Sequence, residues 1–180
     1  MLELPVTSAS TFILVRPHYP ENVGAAARAM KTMGLTSLRI VKPGRLAVPE
    51  HVMAQKMAVK AWDVLNGSTR FETVAEDIRD IDWVVVTTSR RGVCDIQSPR
   101  SVAEQAVAAA GRGERIAVLF GNEKTGLTKD ELAFGRARLR IPIAADQPSV
   151  NLAQATQIVA YEFFVAGLEA RARANVSGAP

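Results

Sequence analysis

Short apolar runs alternate with stretches of helical periodicity along the whole chain. Thr11–Val15 (TFILV), Ser37–Val41 (SLRIV), Trp83–Thr87 (WVVVT) and Arg115–Phe120 (RIAVLF) are β-rich runs that read as buried strands, and Arg138–Ile141 as a final short one. Between them lie the helices. Asn22 is placed to N-cap a helix over VGAAARAMKTM, which Gly34 stops as the residue after the C-cap. Val52–Leu65, Glu72–Arg79 and Ser101–Ala110 read as further helices. Thr128-Lys-Asp-Glu131 has the spacing of a capping box, and a long helix closes the chain from Asn151 to about Arg173.

Unbroken apolar strands that alternate with helices predict a mostly parallel α/β sheet covered on both faces. No composition shift divides the chain, so residues 1–180 read as one domain, with short disordered tails at about 1–9 and 173–180. No apolar run is long enough to cross a bilayer, and the N-terminus lacks the layout of a signal peptide, so a cytoplasmic location is expected.

Cys94 is the only cysteine, and His18 and His51 are the only histidines. That set provides neither an intramolecular disulfide nor a zinc-ligand spacing, and no metal is expected. The formal charge of +4 is modest; its placement says more. In parallel α/β sheets ligands sit at the carboxyl ends of strands. Those ends carry Arg16-Pro-His18, Lys42-Pro-Gly-Arg45, Thr87-Thr-Ser-Arg90-Arg91 and Gly121-Asn-Glu-Lys124, which are rich in cations, hydroxyls and glycine.

Three segments carry candidate chemistry. In Asn22-Val-Gly24-Ala-Ala-Ala-Arg28, the residues Val23, Ala26, Ala27, Met30 and Met33 share one helix face, and Gly24 and Arg28 lie together opposite it. Gly24 leaves space beside Arg28 for a ligand or another backbone. Leu119–Leu127 (LFGNEKTGL) runs from a buried strand into a loop with two glycines and an acid. It lacks the Gly-Lys-Ser/Thr of a phosphate loop and is not a dinucleotide fingerprint, and Glu123 would repel phosphate. In Ile141–Ala155 a polar loop leads into the closing helix. Either Ser149 or Asn151 serves as its N-cap, which leaves the other for a ligand.

The closing helix is apolar nearly all round. Leu152, Ala155, Val159, Phe163 and Ala166 form one stripe, and Ile158, Tyr161, Phe164, Val165 and Leu168 occupy much of the other side. One face can pack on the sheet. The other needs a partner, most simply a second copy of the chain.

Taken in order, ENVGAAARAMKTMG, LFGNEKTGL and IPIAADQPSVNLAQA resemble the three motifs of the SPOUT superfamily, TrmH-like branch. The resemblance spans almost all of residues 10–170. In detail it is most like the TrmJ-type subgroup of tRNA 2′-O-methyltransferases, in which ARAMKTMGL also follows the first motif. It implies a C-terminal deep trefoil knot, a homodimer, S-adenosylmethionine as cofactor, and methylation of a ribose 2′-hydroxyl of RNA, with tRNA (the anticodon loop) ahead of rRNA. Carried over by motif, Asn22, Arg28, Glu123, Ser149 and Asn151 become the catalytic candidates. Thr87, Thr88, Ser89, Leu119, Phe120, Gly121, Ile141, Ile143, Ser149, Val150, Asn151 and Leu152 become the cofactor pocket. From the strand-end loops, Arg16, His18, Arg90 and Arg91 are the expected RNA contacts.

A sulfonium methyl is already an activated electrophile, so the chemistry requires neither a metal nor a covalent nucleophile. The protein must place a ribose hydroxyl in line and manage one proton. Arg28 is read as an anchor for the adjacent phosphate and a stabiliser of alkoxide charge, with Glu123 and Asn151 orienting it and the hydroxyl. Two departures stand out: position 150 is Val where relatives often have Leu, and the chain ends at Pro180 where tRNA-specific relatives carry a C-terminal extension. Either this region recognises RNA unaided or it belongs to a longer protein. A non-catalytic RNA-binding protein using Arg16, Lys42, Arg45, Arg90 and Arg91 is the alternative of a different class. Base methylation is the alternative within the superfamily. An acid in the pocket argues against the first, and the arginine of the first motif against the second.

Overall fold

The computed structural model describes residues 2–144, 146 and 149–177. Its centre is a seven-stranded sheet built from β1 (Ser10–Val15), β2 (Ser37–Val41), β3 (Thr69–Phe71), β4 (Trp83–Thr87), β5 (Ile96–Gln97), β6 (Ile116–Phe120) and β7 (Ala137–Leu139). The order across the sheet is β3-β2-β1-β6-β4-β7-β5, and every strand pairing is parallel. The α/β architecture with a parallel sheet is therefore as the sequence predicts. β1 lies between β2 and the much later β6, in register from Thr11 opposite Ser37 and Ser10 opposite Ile116.

Alternation along β1 divides the core. Phe12 and Leu14 face one layer, where they pack with Val23 and Met30 of α2 (Pro20–Thr32), Val102 and Ala106 of α6 (Pro99–Gly111), and Val159 and Phe163 of the closing helix, Leu152–Ser177. Ile13 and Val15 face the other layer, with Val74 and Leu132 from short helices at Val74–Asp77 and Lys129–Ala133. Phe12 meets Phe120 at 5.2 Å and Phe163 edge-on at 5.9 Å, which fixes the closing helix against the middle of the sheet.

Several local expectations change. The first motif helix starts two residues before Asn22: Pro20 sits at its first turn, where a missing N–H costs nothing, and Tyr19 is the N-cap. Asn22 is inside the helix and buried, and its side chain is used elsewhere. The stretch 52–65 is two helices, α3 (Val52–Ala58) and α4 (Trp62–Asn66), because the chain turns at Val59 with a φ of 52°. Glu72–Arg79 is one α-helical turn capped by Thr73, followed by a 3-10 turn over Ile78–Asp80. The last strand ends at Leu139, two residues early. The edge strands β3 and β5 are too short to leave a run in the sequence.

Residues expected in a loose N-terminal tail form α1 (Pro5–Ala9), with Leu4 and Val6 buried against Gly167 of the closing helix, where a Cβ would come within 2.9 Å of each. That closing helix runs on to Ser177, past the expected end near Arg173. Among the described residues no helix is long and apolar enough to cross a membrane.

Gly24 resolves as a packing residue. A Cβ there would lie 2.0 Å from the carbonyl oxygen of Ala54, so α2 and α3 touch backbone to backbone at this point. The space that Gly24 leaves is filled by the backbone of another helix.

Candidate active site

Parallel strands bring the loops after β1, β4, β6 and β7 to one edge of the sheet, and Glu123 ties two of them together. Its carboxylate accepts hydrogen bonds from the backbone N–H groups of His18 (2.8 Å) and Tyr19 (3.2 Å), and from Asn22 Nδ2 (2.9 Å). Asn22 Oδ1 in turn accepts from Asn151 Nδ2 at 3.0 Å. Asn151 Oδ1 accepts from the N–H groups of Ala153 (2.9 Å) and Gln154 (3.3 Å), so Asn151 is the residue that caps the closing helix. Ser149 is exposed and free of that duty.

The β6–α7 loop, leading to α7 at Lys129–Ala133, is shaped by its own residues. Asn122 Oδ1 accepts from the N–H groups of Lys124 (2.9 Å) and Thr125 (3.1 Å), and its amide donates to the Arg16 carbonyl at 2.7 Å. Gly121 allows the loop to fold back, since a Cβ would fall 2.3 Å from the N of Leu127. Arg16 pairs with Glu131 through both guanidinium nitrogens and donates to the Gly126 carbonyl at 3.1 Å. Burial pushes the Glu131 carboxyl up, but Arg16 and the Thr128 N–H together hold it below the ordinary carboxylate range.

These loops enclose a cavity of about 360 Å³. Of the expected cofactor residues, Thr87, Thr88, Ser89, Phe120, Gly121, Ile141, Ile143, Ser149, Val150 and Leu152 line it. Leu119 and Asn151 do not. Leu119 is fully buried, with its carbonyl accepting from Thr87 Oγ1 at 2.9 Å, and Asn151 is exposed, with its side chain bonded to Asn22 and to the first turn of the closing helix. Glu123 and Lys124 form part of the rim, and Leu127, Leu139 and Ala155 complete the apolar lining. The size lies in the range of small-molecule sites, with an apolar body and a few convergent polar groups.

Asn22, Glu123 and Asn151 are thus brought into one hydrogen-bonded set, with Ser149 on the adjoining wall. Arg28 is not part of it. Its exposed side chain lines a shallow groove between α2 and the start of the closing helix, with Gln154 and Gln157. Among the expected RNA contacts, Arg16 has its guanidinium committed to Glu131, and Arg90 donates to the Thr125 carbonyl at 3.1 Å. His18 and Arg91 are exposed.

The chain matches the SpoU rRNA methylase family over residues 9–161. It belongs to that family. It is 37% identical over 154 residues to the uncharacterized tRNA/rRNA methyltransferase LasT of Escherichia coli, covering 84% of this chain. It is 36% identical over 165 residues to the tRNA (cytidine/uridine-2′-O-)-methyltransferase TrmJ of Klebsiella pneumoniae, covering 91% of this chain. The chain spans 66% of the length of each of these relatives. A probable methyltransferase from Bordetella pertussis superposes with a TM-score of 0.85 at 30% identity, over 89% of this chain and 97% of that one.

In this member of the SpoU family the sequence places Asn122 and Lys124 only within a strand-end loop, without a part of their own, and gives Tyr19 none. A signal for Asn122 was available, since an Asn directly after Gly121 in a strand-to-helix loop suits a side-chain turn. Lys124 shows in the sequence only as one cation of that loop and Tyr19 not at all, and the fold is what brings the two together.

Proposed function

We propose that this chain catalyses transfer of a methyl group from S-adenosylmethionine to a ribose 2′-hydroxyl of tRNA. The observation that carries the reading is the Glu123–Asn22–Asn151 set at the rim of the cavity, which assembles polar residues from all three motifs behind a largely apolar pocket. The named tRNA 2′-O-methylation activity of the Klebsiella relative supports it.

The cavity residues fit the cofactor. Phe120, Leu127, Leu139, Ile141 and Leu152 offer apolar walls for a purine, and Thr87, Thr88, Ser89 and Ser149 offer hydroxyls for polar groups. When bound, S-adenosylmethionine supplies an activated methyl. The protein's part is placement: Glu123 fixes the His18–Tyr19 backbone, and Asn22 and Asn151 hold that loop against the start of the closing helix. Arg28 is assigned to the phosphate beside the reacting ribose, where a permanent cation stabilises alkoxide charge.

Two architectural elements complete the proposal. The first is a C-terminal trefoil knot, which the packing of the closing helix on both α2 and α6 supports. The second is a homodimer. Ile158, Tyr161 and Leu168 of the closing helix are exposed and share a side with Gln154, which borders the Arg28 groove. Pairing through that face puts Arg28 at the subunit boundary. A cytoplasmic location fits an enzyme of tRNA.

The test is transfer of radiolabelled methyl from S-adenosylmethionine to total tRNA and to rRNA, with nuclease mapping of the product. A 2′-O-methyl nucleotide in tRNA that disappears with Arg28→Ala is the expected result. Label in rRNA alone reassigns the substrate. Absence of cofactor binding overturns the reading.

A further inference from the structure

Beside the cavity stands a group of exposed side chains that the reaction as described does not use. The rings of His18 and Tyr19 are perpendicular, with centroids 4.6 Å apart, and Tyr19 is 44% exposed. Lys124 Nζ lies 3.2 Å from His18 Nε2 and 5.7 Å from the centre of the Tyr19 ring. Among the described residues no carboxylate lies within ion-pair distance of Lys124, so its charge is not neutralised by the protein.

The backbone beneath these rings is rigidly held. The same N–H groups of His18 and Tyr19 that bond to Glu123 fix the backbone that carries both rings relative to the cavity rim. Lys124 itself lines that rim. An exposed aromatic ring, fixed from below and bordered by an uncompensated cation, has the two elements that single-stranded nucleic acid requires: a surface for a base and a charge for a phosphate.

We propose that Tyr19, His18 and Lys124 form a nucleotide subsite at the rim of the cavity, in which a base of single-stranded RNA stacks on Tyr19 and an adjoining phosphate meets Lys124. The subsite rests on RNA being the substrate. It does not depend on which nucleotide is methylated.

The experiment measures equilibrium binding of oligouridylate and oligoadenylate to the whole chain, with S-adenosylmethionine binding measured separately by calorimetry. Tyr19→Leu is expected to weaken RNA binding about tenfold or more, while Tyr19→Phe retains it. Lys124→Met is expected to weaken binding and to lower the slope of log affinity against log salt by about one, a slope that Tyr19→Leu leaves unchanged. Cofactor affinity stays at the wild-type level in Tyr19→Leu and Tyr19→Phe, because Tyr19 lies outside the cavity lining. Unchanged binding by Tyr19→Leu overturns the subsite, as does equal loss in Tyr19→Leu and Tyr19→Phe, or failure of the wild-type chain to bind either oligonucleotide. Failure of cofactor binding with RNA binding intact removes the methyltransferase reading and leaves the subsite standing.

Discussion

Asn151 donates from Nδ2 to Asn22 Oδ1 at 3.0 Å across 129 positions of sequence. Each partner also fixes a backbone or a further side chain: Asn151 caps the closing helix, and Asn22 holds Glu123. The contact therefore couples the position of the β1–α2 loop to the entry of the last helix, and both border the proposed reaction site.

Replacing Asn22 probes that coupling. Asn22→Ala removes a bond from each side and is expected to cost about 1–3 kcal/mol, or about 2–4 °C in melting temperature for each kcal/mol. Asn22→Asp can still accept from Asn151 but sets a carboxylate against Glu123, and so is expected to melt lower than Asn22→Ala at neutral pH. Thermal unfolding of the pair decides this. Equal melting temperatures would mean that the Asn22–Glu123 contact is not maintained in solution.

Gly121→Ala is expected to reduce S-adenosylmethionine affinity at least about tenfold, because the added carbon meets the backbone of Gly126 and Leu127, which can only yield by moving the loop. Gly111→Ala is the control. Nothing lies within 4 Å of a Cβ there and its φ is not positive, so stability is expected to hold or rise by about 0.4–1 kcal/mol. Calorimetric titration and melting curves measure both.

Arg28 lies outside the cavity, so binding and turnover should separate. Arg28→Ala is expected to bind S-adenosylmethionine as the wild type does and to lose methyl transfer by about a hundredfold or more. A matching fall in cofactor affinity would place Arg28 in the binding step.

The exposed face of the closing helix gives a test of assembly. Tyr161→Glu adds a charge to a position that is 50% exposed, at no expense to the core of the isolated chain. Sedimentation is expected to shift from dimer to monomer, with methyl transfer falling in parallel. A wild-type chain that sediments as a monomer would remove the dimer from the proposal.

Away from the site, Asp77 is buried beside Arg39, and burial pushes its carboxyl up to about 6 from an ordinary 3.8, although Arg39 pulls the other way. The folded chain then binds a proton that the unfolded chain releases. This contribution to stability is complete below about pH 4 and lost as pH rises through about 6. Asp77→Asn is expected to flatten the stability profile between those values relative to wild type. Glu131, whose carboxyl is held low by Arg16, acts in the opposite sense in both proteins and cancels in the difference, which reports Asp77 together with Asp80, its neighbour on Arg39.

What the sequence made legible was set by local physics. The central strands are continuous apolar runs, and four of them fall within a residue of their predicted bounds. The capping box at Thr128 forms as its spacing requires. Most of the cavity wall follows from the motif carry-over, because strand ends and a glycine loop leave marks in one dimension. The break at Val59 does not, since nothing about a valine announces a positive φ. Asn22 was misplaced as a cap because its true partners, Glu123 and Asn151, are distant in sequence. The commitment of Arg16 to Glu131 was hidden for the same reason, as 115 positions separate them.

The position of β6 governs how this chain must emerge from the ribosome. β1, β2 and β3 can pair as soon as they are made, but β4 has no neighbour among them: its two partners, β6 and β7, both come later. A nascent chain that has reached Gly111 holds an open edge along β1 and an unpaired, valine-rich β4 at the same time. Ile116–Phe120 then closes both at once, as the keystone of the sheet. That interval is when the chain is most exposed to wrong pairings and has most need of a chaperone, and slow codons placed before Ile116 would lengthen it.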